Sequence, residues 1–154
     1  MNTIIPLLTT FTGRINRQQW WIGFVIVLIG SIAGTLLFNP EVFTTEGIPP
    51  PNWADTIWQL ALLVPGTAIT VKRFNDRDWH WWLGYALGAF GALIYLLPHA
   101  GFLIDPGADW TGAILFWAFF LTLVAAFVDN GFLRGTRGPN RYGPDPIPQG
   151  TTTA

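Results

Sequence analysis

Four stretches of about twenty residues, 20–38, 53–71, 79–97 and 110–128, contain no lysine or arginine. Their one acid is Asp55, close to the start of the second stretch. A bilayer core of about 30 Å needs roughly 20 apolar residues in helical form. One such stretch could be the buried helix of a large soluble core. Four of them in a chain of 154 residues leave nothing polar enough to enclose them. The chain is 51% hydrophobic and only 11% charged. A water-soluble domain carries about 25% charged residues. These features predict an all-α fold: an integral membrane four-helix bundle made of two transmembrane hairpins. Residues 1–146 are expected to form one membrane domain, with 147–154 a flexible tail.

The flanks of the four stretches agree with this reading. Trp20, Trp21, Trp53, Trp79, Trp81, Trp82 and Trp110 stand at their ends. Indole favours the headgroup level, where the ring is apolar and its N–H can reach water. Asn39-Pro40 should end the first helix, and Pro98 the third. Ile48-Pro49-Pro50-Pro51 and Asp105-Pro106-Gly107 lie in the connections. Pro65, inside the second stretch, removes a backbone donor and is expected to bend or break that helix.

All eight basic residues lie at alternate ends of the spans. Arg14 and Arg17 precede the first. Lys72, Arg73 and Arg77 separate the second from the third. Arg134, Arg137 and Arg141 follow the fourth. The loops 39–52 and 98–109 hold Glu41, Glu46, Asp105 and Asp109 but no basic residue. Basic loops remain cytoplasmic, so both termini are expected inside. Residues 1–11 lack a basic stretch and are interrupted by Pro6, so the first span is expected to be an uncleaved insertion signal.

Few groups suggest chemistry. There is no cysteine, which excludes disulfides and thiolate catalysis. His99 with Asp105 and Asp109 is too loose a set for a metal, and neither a metal nor another cofactor is expected. Within the spans the polar groups are Ser31, Thr35, Gln59, Thr67, Thr70, Tyr85, Tyr95 and Thr122. Helix–helix hydrogen bonding accounts for such groups. Gly30 and Gly34, and likewise Gly84, Gly88 and Gly91, have the spacing that lets helices approach closely.

Three segments should converge on the cytoplasmic side. In the first, Asn16 and Gln19 have capping-box spacing, so the first membrane helix should start at Asn16. Ile4, Leu7, Leu8, Phe11 and Ile15 form an apolar face ahead of it, suited to the interface. The second runs from Lys72 through Arg77 to Trp79-His80-Trp81-Trp82. The third, Gly138 to Pro146, is rich in turn residues. Arg14, Arg17, Lys72, Arg73, Asp76, Arg77, Asn140, Arg141 and Tyr142 are the candidate site, a rim for anionic lipid or a membrane partner. Asp76, between Arg73 and Arg77, is expected to pair with Arg14, Arg17, Arg73 or Arg141.

Three motifs around the spans resemble the YhaH-like small inner-membrane proteins of bacteria (domain of unknown function 805). They are Gly13-Arg14-Ile15-Asn16-Arg17 leading to Trp20, Lys72-Arg73-Phe74-Asn75-Asp76 followed by Trp81-Trp82, and Asn140-Arg141-Tyr142-Gly143-Pro144-Asp145-Pro146. The resemblance covers nearly the whole chain and implies a bacterial inner-membrane location. It carries no established reaction. Asn75 stands where the family motif has a histidine, and an amide does not titrate near neutral pH.

The leading functional expectation is a non-enzymatic membrane protein that binds lipid headgroups or a membrane partner, itself or another, through the basic and aromatic rim. A small transporter or channel subunit for an uncharged or apolar solute is the alternative, motivated by Pro65 and the four spans. An interfacial enzyme using His80, Asp76 or Asp78 lacks a supporting nucleophile–base pair. Eight basic residues, all beside membrane spans, do not make a nucleic-acid surface.

Overall fold

The computed structural model describes residues 4–44, 49–102, 107 and 110–147. Glu46, Asp105 and Asp109 and the final residues 148–154 lie outside the described residues. The elements in chain order are α1 (Ile4–Thr9), α2 (Arg17–Phe38), α3 (Trp53–Asp76), α4 (Trp82–Leu96) and α5 (Trp110–Phe132). Single 3-10 turns follow α2 (Pro40–Phe43) and α4 (Leu97–Ala100). Four helical stretches are long and apolar enough to cross a membrane: α2, α3, α4 with its 3-10 turn, and α5. At 1.5 Å per residue each reaches roughly 30 Å. Their apolar side chains face outward: Ile29, Leu37, Ile57, Ile114 and Leu121 are all exposed. Lipid is the solvent that makes such a surface stable.

α3 is the central helix. α2 and α4 pack along its two sides, α1 lies across it near its end, and α5 leans on α2. Glycines set the close approaches. A Cβ at Gly84 would lie 2.8 Å from the Cα of Val71, and one at Gly88 would lie 2.4 Å from the Thr67 hydroxyl. Gly34 leaves room for the Trp58 ring, whose Nε1 donates to the Gly30 carbonyl at 2.9 Å. The glycine spacing seen in the sequence is thus a seat for neighbouring side chains.

The helix boundaries depart from the apolar stretches. α2 starts as expected: the Asn16 side chain accepts from Gln19 N at 2.9 Å, and the Gln19 side chain accepts from Asn16 N at 3.0 Å. α3 runs five residues past the expected end at 71, through Lys72 to Asp76. α4 begins at Trp82 and not at residue 79, because Asp78 adopts a left-handed φ of 58° that turns the chain. α5 continues past 128 to Phe132. Charge does not stop a helix when the side chains find partners, and here they do. Pro65 also fails to break α3, which is continuous through it. The Thr70 hydroxyl bonds the Gly66 carbonyl at 2.9 Å.

The tryptophans at the span ends divide: five are exposed, Trp21 is half-buried and Trp20 is buried. Trp53, Trp79, Trp81, Trp82 and Trp110 are exposed at helix ends, as a headgroup-level belt requires. Trp20 is not part of that belt. It is buried with Leu7, Ile15 and Ile69, stacks on Phe24 at 5.1 Å and meets Phe127 edge to face at 5.9 Å. Leu7 and Ile15 reach this core because α1 packs across α3 and touches α2, whereas Ile4 and Ile5 remain exposed.

At the end of the bundle away from the basic residues, the span polar groups join α2 to α3. Ser31 Oγ donates to Gln59 Oε1 at 2.8 Å, and Gln59 Nε2 donates to Thr35 Oγ1 at 2.8 Å. Asp55 Oδ1 accepts from Thr35 at 3.1 Å and from Gln59 at 3.2 Å. His99 lies over Trp53 and bonds the Thr56 hydroxyl at 2.9 Å. Among the described residues there is no group of three potential metal ligands.

Candidate functional site: the basic end of the bundle

Asp76, the last residue of α3, is only 3% exposed. Its Oδ1 accepts two bonds from Arg14, from Nε at 3.0 Å and Nη2 at 2.9 Å. Its Oδ2 accepts from Arg73 Nη1. Arg73 is fully buried, and the Arg14 side chain is 1% exposed. Two buried guanidiniums around one carboxylate leave an excess positive charge. Backbone carbonyls offset it. Arg14 also donates to Thr136 O at 2.7 Å, Gly138 O at 2.8 Å and Gly143 O at 3.2 Å. Arg73 also donates to Asn130 O at 2.7 Å and to Leu133 O.

Those last two bonds belong to a larger pattern. The final turn of a helix leaves carbonyls without intrahelical partners and carries partial negative charge. At the end of α5, five consecutive carbonyls are met by side chains of other helices. Arg73 serves Asn130 and Leu133. Trp21 Nε1 serves Gly131 at 3.2 Å, and Arg17 Nη1 serves Phe132 at 3.0 Å. Arg77 Nη1 serves Arg134 O at 2.5 Å, and its Nη2 pairs with Asp129 Oδ1 at 3.1 Å. Lys72 does the same for α1, donating to Pro6 O at 2.8 Å and Leu7 O at 2.6 Å. The basic residues therefore hold helix ends together.

The tail after α5 is drawn into the same structure. Thr136 donates to the Asp76 carbonyl through its N at 2.8 Å and through its hydroxyl at 3.0 Å. Asn75 Nδ2 donates to Gly13 O at 3.1 Å, and Asn140 Nδ2 donates to Asn75 O at 2.9 Å. Asn140 and Gly143 close a tight turn by mutual backbone bonds of 3.0 and 3.1 Å. Amides of Ile147 and Gly138 donate to Asp145 and hold its carboxyl below the usual range, with Arg14 and Arg134 adding to the effect. At the outer edge, Arg141 pairs with Asp78 at 3.0 Å and lies over the Tyr142 ring.

Of the residues singled out from the sequence, Arg14, Lys72, Arg73, Asp76 and Asn140 are thus spent on contacts within the chain. Asp76 pairs with Arg14 and Arg73. Arg17 instead bonds an α5 carbonyl, and Arg141 bonds Asp78. The exposed cations at this end are Arg17, Arg134, Arg137 and Arg141. In the sequence Arg134 and Arg137 stand out only as topology determinants, and the path of the tail brings them to the rim. Thr136, Asp129 and Gly135 were also missed. Gly135 lies so near Asp76 that a Cβ there would stand 1.8 Å from Oδ2. A short cleft of about 20 Å³ opens beside this contact, lined by Arg17, Arg134 and Thr136 among others.

The chain is similar to known proteins. The chain is 30% identical to the Uncharacterized protein YiiR of Escherichia coli (strain K12) over 146 residues, covering 93% of this chain and 90% of that protein. It is 26% identical to the Inner membrane protein YhaI of the same strain over 136 residues, covering 88% and 85%. The Inner membrane protein YhaH of that strain matches at 26% identity over 137 residues, covering 88% and 86%. No solved structure matches the chain. These inner-membrane relatives, together with the four apolar helices, identify a multi-pass inner-membrane protein. Residues 8–144 match the family described as Protein of unknown function (DUF805), and the chain belongs to that family.

Proposed function

We propose that this protein is non-catalytic, has both termini in the cytoplasm, and binds anionic lipid headgroups through its basic end. The observation that carries the reading is a division of labour among the eight basic residues. The side chain of Arg14 and the whole of Lys72 and Arg73 are buried and build the end, and Arg77 is half-buried against Asp129. Arg17, Arg134, Arg137 and Arg141 are left exposed, at the same end as the exposed Trp79, Trp81 and Trp82. Guanidinium groups at the height of an aromatic belt meet phosphate in a bilayer. The excess of basic residues at this end supports the cytoplasmic orientation. The central acid, Asp76, is engaged by two guanidiniums, which favours a structural over a catalytic role for it.

The test is the melting temperature of detergent-solubilised protein titrated with phosphatidylglycerol or with phosphatidylcholine. Each basic residue near an anionic surface contributes about 1 kcal/mol. For a chain of this size, 1 kcal/mol shifts the midpoint by about 2–4 °C. Phosphatidylglycerol should raise the midpoint more than phosphatidylcholine does. Arg134→Ala with Arg137→Ala should remove much of that difference and leave the lipid-free midpoint nearly unchanged. Equal response to the two lipids would end the headgroup reading.

A further inference from the structure

Asp78 is the only non-glycine described residue with a positive φ, 58°. That conformation is uncommon outside glycine, asparagine and aspartate, and something must hold it. The turn it makes precedes three tryptophans in four residues. Trp79, Trp81 and Trp82 are 47%, 59% and 52% exposed. The end of α3 holds this turn from one side, Asp78 N donating to Asn75 O at 3.1 Å and Trp79 N to Phe74 O at 3.0 Å, and residues from the far end of the sequence hold it from the other. Arg141 donates to the Asp78 carbonyl at 2.7 Å and pairs with its carboxylate at 3.0 Å. The Tyr142 hydroxyl donates to the Trp79 carbonyl at 2.6 Å. The Arg141 guanidinium lies 5.0 Å from the centre of the Tyr142 ring, so the two side chains act as one unit.

That unit is itself fixed. It belongs to the turn closed by Asn140 and Gly143. Arg14 bonds the Gly143 carbonyl, and Asn140 bonds the Asn75 carbonyl. A continuous path therefore runs from buried Asp76 through Arg14 to the tail turn, and from there to the tryptophan turn.

We infer that Trp79, Trp81 and Trp82 form an interfacial anchor for the protein's own bilayer and that the tail pair Arg141 and Tyr142 sets its geometry. Three indole rings on a short turn cannot pack on one another and remain so exposed; the headgroup layer is the environment that suits them. Without the tail pair, only the bonds to the end of α3 hold the turn, and the three rings lose part of their fixed placement. Arg141 and Tyr142 are positioning residues. The inference rests on the reading that this end lies at headgroup level, but not on lipid charge.

The test uses vesicles of phosphatidylcholine alone, so its outcome is separate from the anionic-lipid titration. Full-length protein is reconstituted with lipids brominated high on the acyl chain. The contribution of the turn to fluorescence quenching is taken as the difference from a Trp79→Phe, Trp81→Phe, Trp82→Phe variant. Arg141→Ala with Tyr142→Phe should lower that contribution roughly twofold and speed amide exchange at residues 78–82. Ile147→Ala, in the same tail, should change neither. Tyr142→Phe alone removes one hydrogen bond and should produce a smaller change in the same direction, which keeps the test available if the double variant fails to fold. Unchanged quenching and unchanged exchange in the folded variants would overturn the inference.

Discussion

Replacing Asp76 by alanine should be the most damaging single change at the basic end. Arg73 is fully buried, the Arg14 side chain is 1% exposed, and Asp76 is the acid both of them meet. Removing one partner of a buried ion pair costs about 3–5 kcal/mol, because an uncompensated charge stays behind. Here two guanidiniums would be left among carbonyls. Asp78→Ala is the comparison. The Asp78 pair with Arg141 is about half exposed, and an exposed pair contributes about 0–1 kcal/mol. The measurement is the melting temperature of detergent-solubilised protein, alongside its yield in membranes. Asp76→Ala should lower both severely, and Asp78→Ala should lower the midpoint slightly. Equal, negligible effects would show that the ion cluster does not hold the end together.

Gly135→Ala should approach that loss although it removes no interaction directly. The new methyl would lie 1.8 Å from Asp76 Oδ2 and 2.4 Å from Cγ. Arg14 bonds one carboxylate oxygen and Arg73 the other, so the carboxylate cannot swing away. Either the ion cluster opens or the tail lifts off it. Overpacking alone costs about 1–3 kcal/mol, and loss of part of the ion cluster adds to that. The double variant with Asp76→Ala separates this account from a general effect on the tail. Once the carboxylate is gone the methyl has room, so the double variant should be no less stable than Asp76→Ala alone. Losses that simply add would contradict the steric account.

The membrane architecture was legible because its signal is repeated. Four apolar stretches, alternating charge and terminal tryptophans each point to the same four spans, and each feature is local. The capping box at Asn16 was legible for the same reason. What failed was local inference where tertiary contacts decide. Nothing in the sequence near Lys72 shows that its ammonium meets the carbonyls of α1, so the end of α3 was placed too early. Trp20 and Trp21 look alike in sequence, but α1 and Phe127 bury the first. Pro65 leaves a bend or a break equally open in the sequence, and it is packing that decides against the break: α3 lies between α2 and α4 and continues through it. At the candidate site, charge balance pointed to Asp76 as the acid among the arginines. It could not show that Arg73 and Arg17 serve carbonyls at the end of α5, since those acceptors are backbone and carry no residue signature.

The basic end is one plate built from three segments, and the proposed function requires it to face the cytoplasm. The chain contains no cysteine, so single-cysteine variants report position without background. Gly107→Cys lies in the connection between α4 and α5, and Pro144→Cys lies in the exposed part of the tail. Each is expressed in bacteria with a permeabilised outer membrane and treated with a membrane-impermeant maleimide. Gly107→Cys should label in cells with an intact inner membrane, and Pro144→Cys should label only after that membrane is opened. Labelling of Pro144→Cys in intact cells would place the basic plate on the outer face and contradict the account.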